Sequence, residues 1–224
     1  MITKYSNILV DIYEKEKSVS SVYSPYMMWK LAKHKDDLVR SDLAKALVHD
    51  VESSVALDVL CKLSKDKEPL VRVEAVDSLS EFCCDKSYKV LKNALYDMDY
   101  LVRKYALFGI SYIGAKINLE EAVSLLQECE KKEANLHCKV SILEGLYILG
   151  IEEYLDKLIN LFEVDDYQIQ CSVANSLAEI VNERNVTIIQ RFINGINWND
   201  YSVAVQSSIK SLKNVCTDLE GQYE

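Results

Sequence analysis

Residues 66–114 decide the fold of this chain: DKEPLVRVEAVDSLSEFCCDKSYKVLKNALYDMDYLVRKYALFGISYIG. The phrase EPLVR at 68–72 returns as DYLVR at 99–103. Each copy is followed by small and apolar residues at helical spacing, then by a polar turn and a second apolar helical pattern. This arrangement predicts a helical hairpin that has been used twice.

The same phrase can be followed in both directions along the chain. Upstream it reads DDLVR at 36–40, and downstream it weakens but can still be aligned. The predicted anchor positions are Val39, Val71, Val102, His137, Ile169 and Val203, at intervals of 31 to 35 residues. Such a period is typical of solenoids. The sequence therefore predicts an all-α fold, an α-solenoid of about six helical hairpins in one domain covering residues 1–224.

The boundaries of the repeats follow from the same alignment. Residues 1–35 are predicted to be irregular N-terminal cap helices, 36–216 the repeats and 217–224 a polar tail. The second helices are predicted near 53–64, 86–96, 119–131, 151–163 and 185–195, and the last helix at 201–216. The position three before the anchor holds Asp36, Glu68, Asp99, Ala134, Asp166 and Asp200. An aspartate there predicts an N-cap, because its carboxylate accepts from the free amides of the first turn.

The phrase Asp-x-x-Val-Arg followed by Ala and Leu resembles HEAT-type repeats, in particular the short, phycobilisome lyase-like variety. The resemblance is good over 36–114 and degenerate over 134–216. It implies a stack of antiparallel helix pairs, with first helices on a convex face and second helices on a concave one. It implies a binding surface and no particular chemistry.

The recurrent Arg40, Arg72 and Arg103 allow two interpretations. They could form an anion site, or a structural ladder with acids near the helix starts such as Asp66 and Asp97. The resemblance favours the ladder, because in families with this phrase the arginine bonds acidic groups of its own or the next repeat. In the later copies the aligned position holds Cys138, Gln170 and Ala204.

The net charge of −9 lies entirely in the C-terminal half. Residues 1–112 carry 17 basic and 17 acidic residues, whereas 113–224 carry 9 basic and 18 acidic ones. A protein that held nucleic acid by its phosphates would need the opposite sign. An acidic surface attracts a basic partner, although the same charges would also serve as an ordinary solvated helix face.

The candidate partner-binding residues are the acids of two predicted second helices and three aromatic residues outside the repeat pattern. The acids are Glu120, Glu121, Glu128, Glu152, Glu153, Asp156 and Glu163. The aromatic residues are Tyr147, Tyr154 and Trp198. Tyrosine and tryptophan are favoured as interface anchors, but they also fill seams between helices.

Catalytic, metal and cofactor sites are not predicted. The seven cysteines contain no CxxC pattern and are expected to be small buried hydrophobes. The three histidines fall in separate repeats, and neither a glycine-rich phosphate loop nor GxSxG occurs. We therefore expect a protein that is not an enzyme.

The hypothesis that accounts for these features is a non-catalytic binder that holds a basic protein partner on an acidic concave surface. One version is an immunity protein or inhibitor that neutralises a toxin. The alternatives are a lyase-related or chaperone-like factor acting on a cofactor-bearing protein, and a general adaptor in a larger assembly. No signal peptide or membrane span is recognised, so a cytoplasmic location is expected.

Overall fold

The predicted hairpins are present as α-helices throughout the part of the chain that the structure describes. The structure is a computed structural model, and it describes residues 4–221. Within that range the regular secondary structure is helical, without strands. The chain divides into two compact units, Met1–Ser124 (unit 1) and Leu125–Glu224 (unit 2), each of which is described by itself. The all-α fold is confirmed, and the interpretation as one domain stays a prediction.

The helix bounds are close to the predicted ones. Unit 1 contains α1 (Lys4–Glu14), α2 (Pro25–Leu31), α3 (Asp37–Ala46), α4 (Ser54–Leu63), α5 (Pro69–Leu79), α6 (Asp85–Ala94) and α7 (Tyr100–Ile117). Helix α8 (Leu119–Lys132) follows. Unit 2 contains α9 (Leu136–Ile148), α10 (Glu153–Asn160), α11 (Tyr167–Ile180), α12 (Val186–Gly195) and α13 (Val203–Gly221).

In each unit the first helices of successive hairpins pack side by side, as in a solenoid. Helices α3, α5 and α7 pack in this order in unit 1, and α9, α11 and α13 do so in unit 2. The anchors Val39, Val71 and Val102 are fully buried at these seams. In unit 1, small residues permit a close approach: a Cβ built on Gly114 would lie 2.6 Å from the Cβ of Ala122.

Three of the predicted aspartate N-caps are confirmed. Asp36, Asp99 and Asp166 accept hydrogen bonds from the amides of Leu38, Leu101 and Gln168, respectively. The expected cap at Asp200 is wrong, because that residue ends a short 3₁₀ helix. Ser202 caps α13 instead, accepting from the amide of Val205 at 3.4 Å.

The last helix is longer than predicted. Residues 217–221 were expected to belong to a polar tail, but they continue α13 to Gly221. Buried Leu212 and Cys216 lie four residues apart, so one face of this helix stays apolar almost to its end. Residues 222–224 of the predicted tail lie outside the described range.

The N-terminal cap is tied to the repeats by one buried carboxylate. Asp50, in the turn between α3 and α4, accepts from the hydroxyl of Ser18 and the amide of Val19, both at 2.6 Å. It also accepts from the amide of Ser20 at 3.0 Å. These bonds fix the start of the short 3₁₀ helix Val19–Ser21, which follows α1.

Candidate functional site

The repeated arginines of unit 1 form a ladder of ion pairs between neighbouring hairpins. Arg40 donates from Nε and Nη2 to the two carboxylate oxygens of Asp66, each at 2.8 Å. Arg72 makes the same two-bond contact with Asp97, again at 2.8 Å. Because a guanidinium matches the fork of a carboxylate, this geometry is the strong form of an ion pair.

The third nitrogen of each guanidinium holds the chain within its own repeat. Nη1 of Arg40 donates to the carbonyl of His34, that of Arg72 to Asp66, and that of Arg103 to Asp97. Each acceptor lies six residues before the arginine, in the turn that leads into the first helix. The donors are thus used within the fold, which confirms the structural interpretation of these arginines.

The acids of the ladder are charged in the folded state. Burial opposes the ionisation of Asp66, but hydrogen bonds from Arg40 and from the amide of Glu68 outweigh it, so the pKa of Asp66 is lowered. The pKa of Asp97 is lowered in the same way by Arg72 and the amide of Asp99. The Arg40 and Asp66 side chains are 6% and 12% exposed, so water screens this pair little.

In unit 2 the structure corrects the alignment of the repeat. The expected anchor Val203 is 82% exposed, whereas Val205 is fully buried. Likewise Cys138 is buried, and the residue that caps its helix is Asn135, three positions earlier. The arginine position, one after the anchor, therefore holds Lys139, Gln170 and Gln206, and the earlier assignments to Cys138 and Ala204 were wrong.

The glutamines at the arginine position keep the hydrogen bond to the turn of their own repeat. Nε2 of Gln170 donates to the carbonyl of Val164 at 3.0 Å, six residues earlier, as the arginines do. Nε2 of Gln206 donates to the carbonyls of Trp198 and Tyr201, both at 2.9 Å. A neutral amide with one donor nitrogen can hold its own turn but cannot form the ion pair to the next repeat.

In unit 2 one position of the ladder holds an acid whose expected arginine partner is a glutamine. Asp200 lies five residues before the anchor Val205, as Asp66 and Asp97 do before theirs, and the residue that would pair with it is Gln170. A groove of about 540 Å³ opens at this place. Its lining residues are Asp165, Asp166, Tyr167, Gln168, Gln170, Asp200, Tyr201 and Ser202. We call this the acidic groove.

The predicted acids of unit 2 lie mainly on an exposed helix surface. Glu128, Glu152, Glu153, Asp156 and Glu163 are exposed. Helices α8 and α10 are neighbours, as predicted, because the hydroxyl of Tyr154 donates to Glu130 at 2.8 Å. Two of the acids form i,i+4 ion pairs, Glu128 with Lys132 and Glu153 with Lys157.

The remaining two candidate acids lie in unit 1. Glu120 is exposed in the first turn of α8, and Glu121 is partly buried. The carboxylate of Glu121 accepts from Nζ of Lys92 at 2.7 Å. This pair neutralises Glu121, so of these two acids Glu120 is the one with a free surface charge.

The aromatic candidates are placed less favourably for contact than expected. Tyr154 is 4% exposed, which removes its ring from the candidate surface. Tyr147 is partly buried, and its hydroxyl accepts from the side-chain amide of Asn185 at 2.8 Å. Trp198 is also partly buried. Sequence reasoning missed this because a tyrosine outside the repeat pattern can fill a seam as readily as a surface.

The comparison with protein families agrees with this geometry. The family model that describes HEAT repeats matches residues 25–106. Residues 25–106 are therefore similar to HEAT repeats. The matched segment contains the rungs Arg40–Asp66 and Arg72–Asp97. HEAT repeats indicate a role in protein–protein interaction or as an adaptor.

Several solved structures match this chain at low identity and with TM-scores below 0.5. The phycocyanin lyase complex from Nostoc matches at 14% identity and a TM-score of 0.49, covering 86% of this chain and 95% of that one. The archaeal HEAT-like repeats protein from Thermococcus onnurineus matches at 15% and 0.44, covering 98% of each chain. Human deoxyhypusine hydroxylase matches at 14% and 0.38, covering 96% and 97%. No curated protein sequence matches this chain.

Within residues 4–221, no group of three or more His, Cys, Asp or Glu side chains is arranged to hold a metal ion. Among the helices of the same range, none combines the length and the apolarity that a membrane crossing requires.

The repeats of unit 1 also contain carboxyl groups whose protonation is perturbed. Burial raises the pKa of Asp42 on α3 and of Glu74 and Asp77 on α5. The positive charge of Lys45 opposes the increase in pKa at all three groups. The negative charge of Glu81 raises the pKa of Asp77 further. The ammonium of Lys45 lies 4.6 Å from the ring centre of Tyr13. These carboxyl groups therefore make the stability of the chain depend on pH.

We expect Asp77→Asn to stabilise the protein at pH 7 but not at pH 3.5. The folded pKa of Asp77 lies above the ordinary value of 3.8. Its contribution to the free energy of unfolding is thus present below that value and lost as pH rises through the folded pKa. Asparagine cannot ionise, so the Tm of the variant should exceed that of the wild type only at the higher pH. Glu52→Gln, the same change at an exposed site, is the control, and an equal Tm gap at both pH values would contradict the expectation.

Proposed function

We propose that this chain is a non-catalytic binding protein whose unit 2 holds a basic protein partner. The observation that carries the proposal is the acidic groove, where Asp200 keeps the place of a ladder acid but Gln170 stands in the place of the arginine. In unit 1 the corresponding place is filled by Arg72, bonded to Asp97. An arginine of the partner would complete the missing ion pair from outside.

The charge around the groove supports the same partner. Unit 2 contains 16 acidic and 8 basic residues. The exposed acids Asp165 and Asp166 line the groove itself, Asp156 lies on α10, and Glu163 lies in the short 3₁₀ helix that follows α10. A surface of one sign steers a partner of the other sign and raises the association rate, and salt weakens this effect.

A non-catalytic role fits the placement of the reactive side chains. The alternative of a lyase-related or chaperone-like factor requires a pocket lined by convergent polar groups, and a deep cleft beside His137 and Cys138 would favour it. Cys138 is fully buried, so its thiol is not open to a substrate. A buried cysteine of this kind acts as a small hydrophobe in the core.

Binding should be measured with the wild-type chain and charge-reversal variants against a partner captured from the source cells. We expect Asp165→Lys with Asp200→Lys to weaken binding at least tenfold, because losing one charge of an interfacial pair commonly costs 2 kcal/mol or more. Glu152→Lys with Asp156→Lys tests the α10 surface in the same assay. The matched control is Glu14→Lys with Glu52→Lys, two exposed acids of unit 1.

The salt dependence separates this proposal from a generic adaptor. If the acidic groove binds a basic protein, affinity falls as salt rises, and the groove variant loses most of that dependence. An affinity that does not change with salt would sink the proposal. So would groove and control variants that weaken binding equally.

The narrower form of the proposal is an immunity protein that neutralises a toxin with a basic site. It rests on the acidic surface of unit 2 and predicts a growth phenotype. The captured partner, expressed alone, should arrest growth, and co-expression of this chain should restore it. Restoration by the wild type but not by Asp165→Lys with Asp200→Lys is the expected result. A partner that does not affect growth would exclude the toxin while leaving the basic partner in place.

A further inference from the structure

One groove recurs in both units at the same place in the repeat. Its walls share three positions, one residue after an anchor and five and four residues before the next anchor. In unit 1 these positions line a groove of about 470 Å³ and hold Arg72, Asp97 and Met98. In unit 2 they line the acidic groove and hold Gln170, Asp200 and Tyr201. The groove of unit 1 therefore serves as a reference for the acidic groove.

In unit 1 the groove contains a guanidinium that belongs to the chain itself. Nε and Nη2 of Arg72 donate to the two carboxylate oxygens of Asp97, each at 2.8 Å. Nη1 of Arg72 donates to the carbonyl of Asp66 at 3.0 Å. A planar guanidinium can make both contacts at once because its donors lie on different edges, whereas the donors of an ammonium radiate from one atom. The acid of this groove is thus matched to an arginine.

In unit 2 the carboxylates of the groove are open to a cation from outside. Asp165 and Asp200 are exposed, and their side chains have no hydrogen-bond or ion-pair partner within residues 4–221. Nε2 of Gln170 donates to the carbonyl of Val164 at 3.0 Å, so this side chain is held by its own repeat. Gln170 therefore leaves Asp200 without the counter-charge that the reference groove supplies internally.

Two tyrosines that line the acidic groove favour a planar cation as well. Tyr167 is 55% exposed, so its ring is open to a partner. The ring of Tyr201 packs against the buried Phe162, with the ring centres 5.2 Å apart, which holds this wall of the groove in place. A guanidinium can stack on an aromatic face while its edges keep their hydrogen bonds, and an ammonium cannot.

We propose that the acidic groove selects arginine over lysine, and that Gln170 is the residue that keeps the groove open for an arginine of the partner. The inference rests on the proposed function and adds the kind of side chain that the basic partner inserts. The guanidinium pairs with Asp200 through two parallel hydrogen bonds, as Arg72 pairs with Asp97 in unit 1. An arginine at position 170 would occupy the same carboxylate from within the chain and compete with the partner.

Two labelled peptides of twelve residues test the selectivity by fluorescence anisotropy with the full chain. One repeats Gly-Arg-Ser four times, and the other repeats Gly-Lys-Ser four times, so their charges are equal. We expect the arginine peptide to bind at least fivefold more tightly, because only the guanidinium makes the forked contact. Equal affinities would overturn the proposal, since general attraction to the acidic surface would then account for the binding. Binding of neither peptide would overturn it too.

The variant Gln170→Arg locates the selectivity on the chain. It should weaken the arginine peptide at least fivefold and raise the Tm by about 2–4 °C, because the new arginine pairs with Asp200 as a further rung of the ladder. Loss of binding together with a gain in stability excludes misfolding as the cause. Asn175→Arg adds the same charge at an exposed site of the same helix, so it is the matched control. It should change the affinity less than twofold and should not raise the Tm.

The outcomes separate this inference from the proposed function. If Asp165→Lys with Asp200→Lys weakens the captured partner while the two peptides bind equally, the basic partner stands and the arginine preference is wrong. If the captured partner keeps its affinity in that double variant, both are wrong. An arginine peptide that binds Gln170→Arg as tightly as the wild type would also overturn the inference. Preference for the arginine peptide, lost in Gln170→Arg but kept in Asn175→Arg, is the supporting result.

Discussion

Replacing Asp66 with alanine is expected to destabilise the protein by about 3–5 kcal/mol, the usual effect of removing one partner from a buried ion pair. Asp66 accepts both forked bonds of Arg40 and the amide of Glu68. Its loss leaves the guanidinium of Arg40, which is almost buried, without the carboxylate that bonds its Nε and Nη2. The desolvation of that charge, rather than the lost attraction alone, makes the effect large.

Urea unfolding of a double-mutant cycle measures this pair. Arg40→Ala with Asp66→Ala should cost less than the two single changes together, because the double variant leaves no buried charge behind. The control is Asp58→Ala, which breaks an exposed ion pair with Lys86. Exposed pairs contribute about 0–1 kcal/mol, so the control should change the midpoint little. Additive single effects, or a control as damaging as Asp66→Ala, would contradict the ladder.

Replacing Asp50 with alanine is expected to cost about 3 kcal/mol and to loosen the residues around Val19. The carboxylate accepts from the amides of Val19 and Ser20 and from the hydroxyl of Ser18. Asp50 is buried, so its removal leaves these donors unpaired, at about 1–3 kcal/mol for each one that water does not reach. Urea unfolding gives the stability, and hydrogen exchange gives the local opening.

The exchange rates provide the decisive comparison for Asp50. In Asp50→Ala the amides of Val19 and Ser20 should exchange faster, while the amide of Ala56, bonded to Ser53, should keep its protection. Asp50→Asn retains one acceptor oxygen and should fall between the two. If Val19 and Ser20 stayed as protected as in the wild type, the carboxylate would not hold this segment in place.

The fold could be predicted because its signals are local and repeated. Helix periodicity, the aspartate caps and the valine anchors act within a few residues, so the alignment of three strong copies placed α3, α5 and α7 correctly. The alignment failed at Val203 because a second valine lies two residues later and the caps differ. The cap before Val205 is Ser202 instead of aspartate, just as the cap before Cys138 is Asn135. Only burial distinguishes Val205 from Val203.

The candidate site could be predicted less well than the fold. Composition located the acidic charge in the C-terminal half, and the exposed side chains of Glu152 and Asp156 agree with it. The acidic groove was missed because Asp200 was interpreted as a helix cap. Its correspondence to Asp66 becomes visible only when the anchor is moved to Val205. Tyr154 was misjudged for a related reason, since its burial depends on α8 and Glu130.

The sequence by itself determined the helical repeat and the sign of the charge in unit 2. These properties follow from residue type and from spacing within a single helix, and they do not depend on contacts with other helices. Only the tertiary structure decided which acids are neutralised and which stay available. Asp66 is bonded to Arg40, whereas Asp200 lies beside Gln170 in a groove. Pairing between repeats depends on residues 25 or 26 positions apart, and the burial of both partners sets its strength.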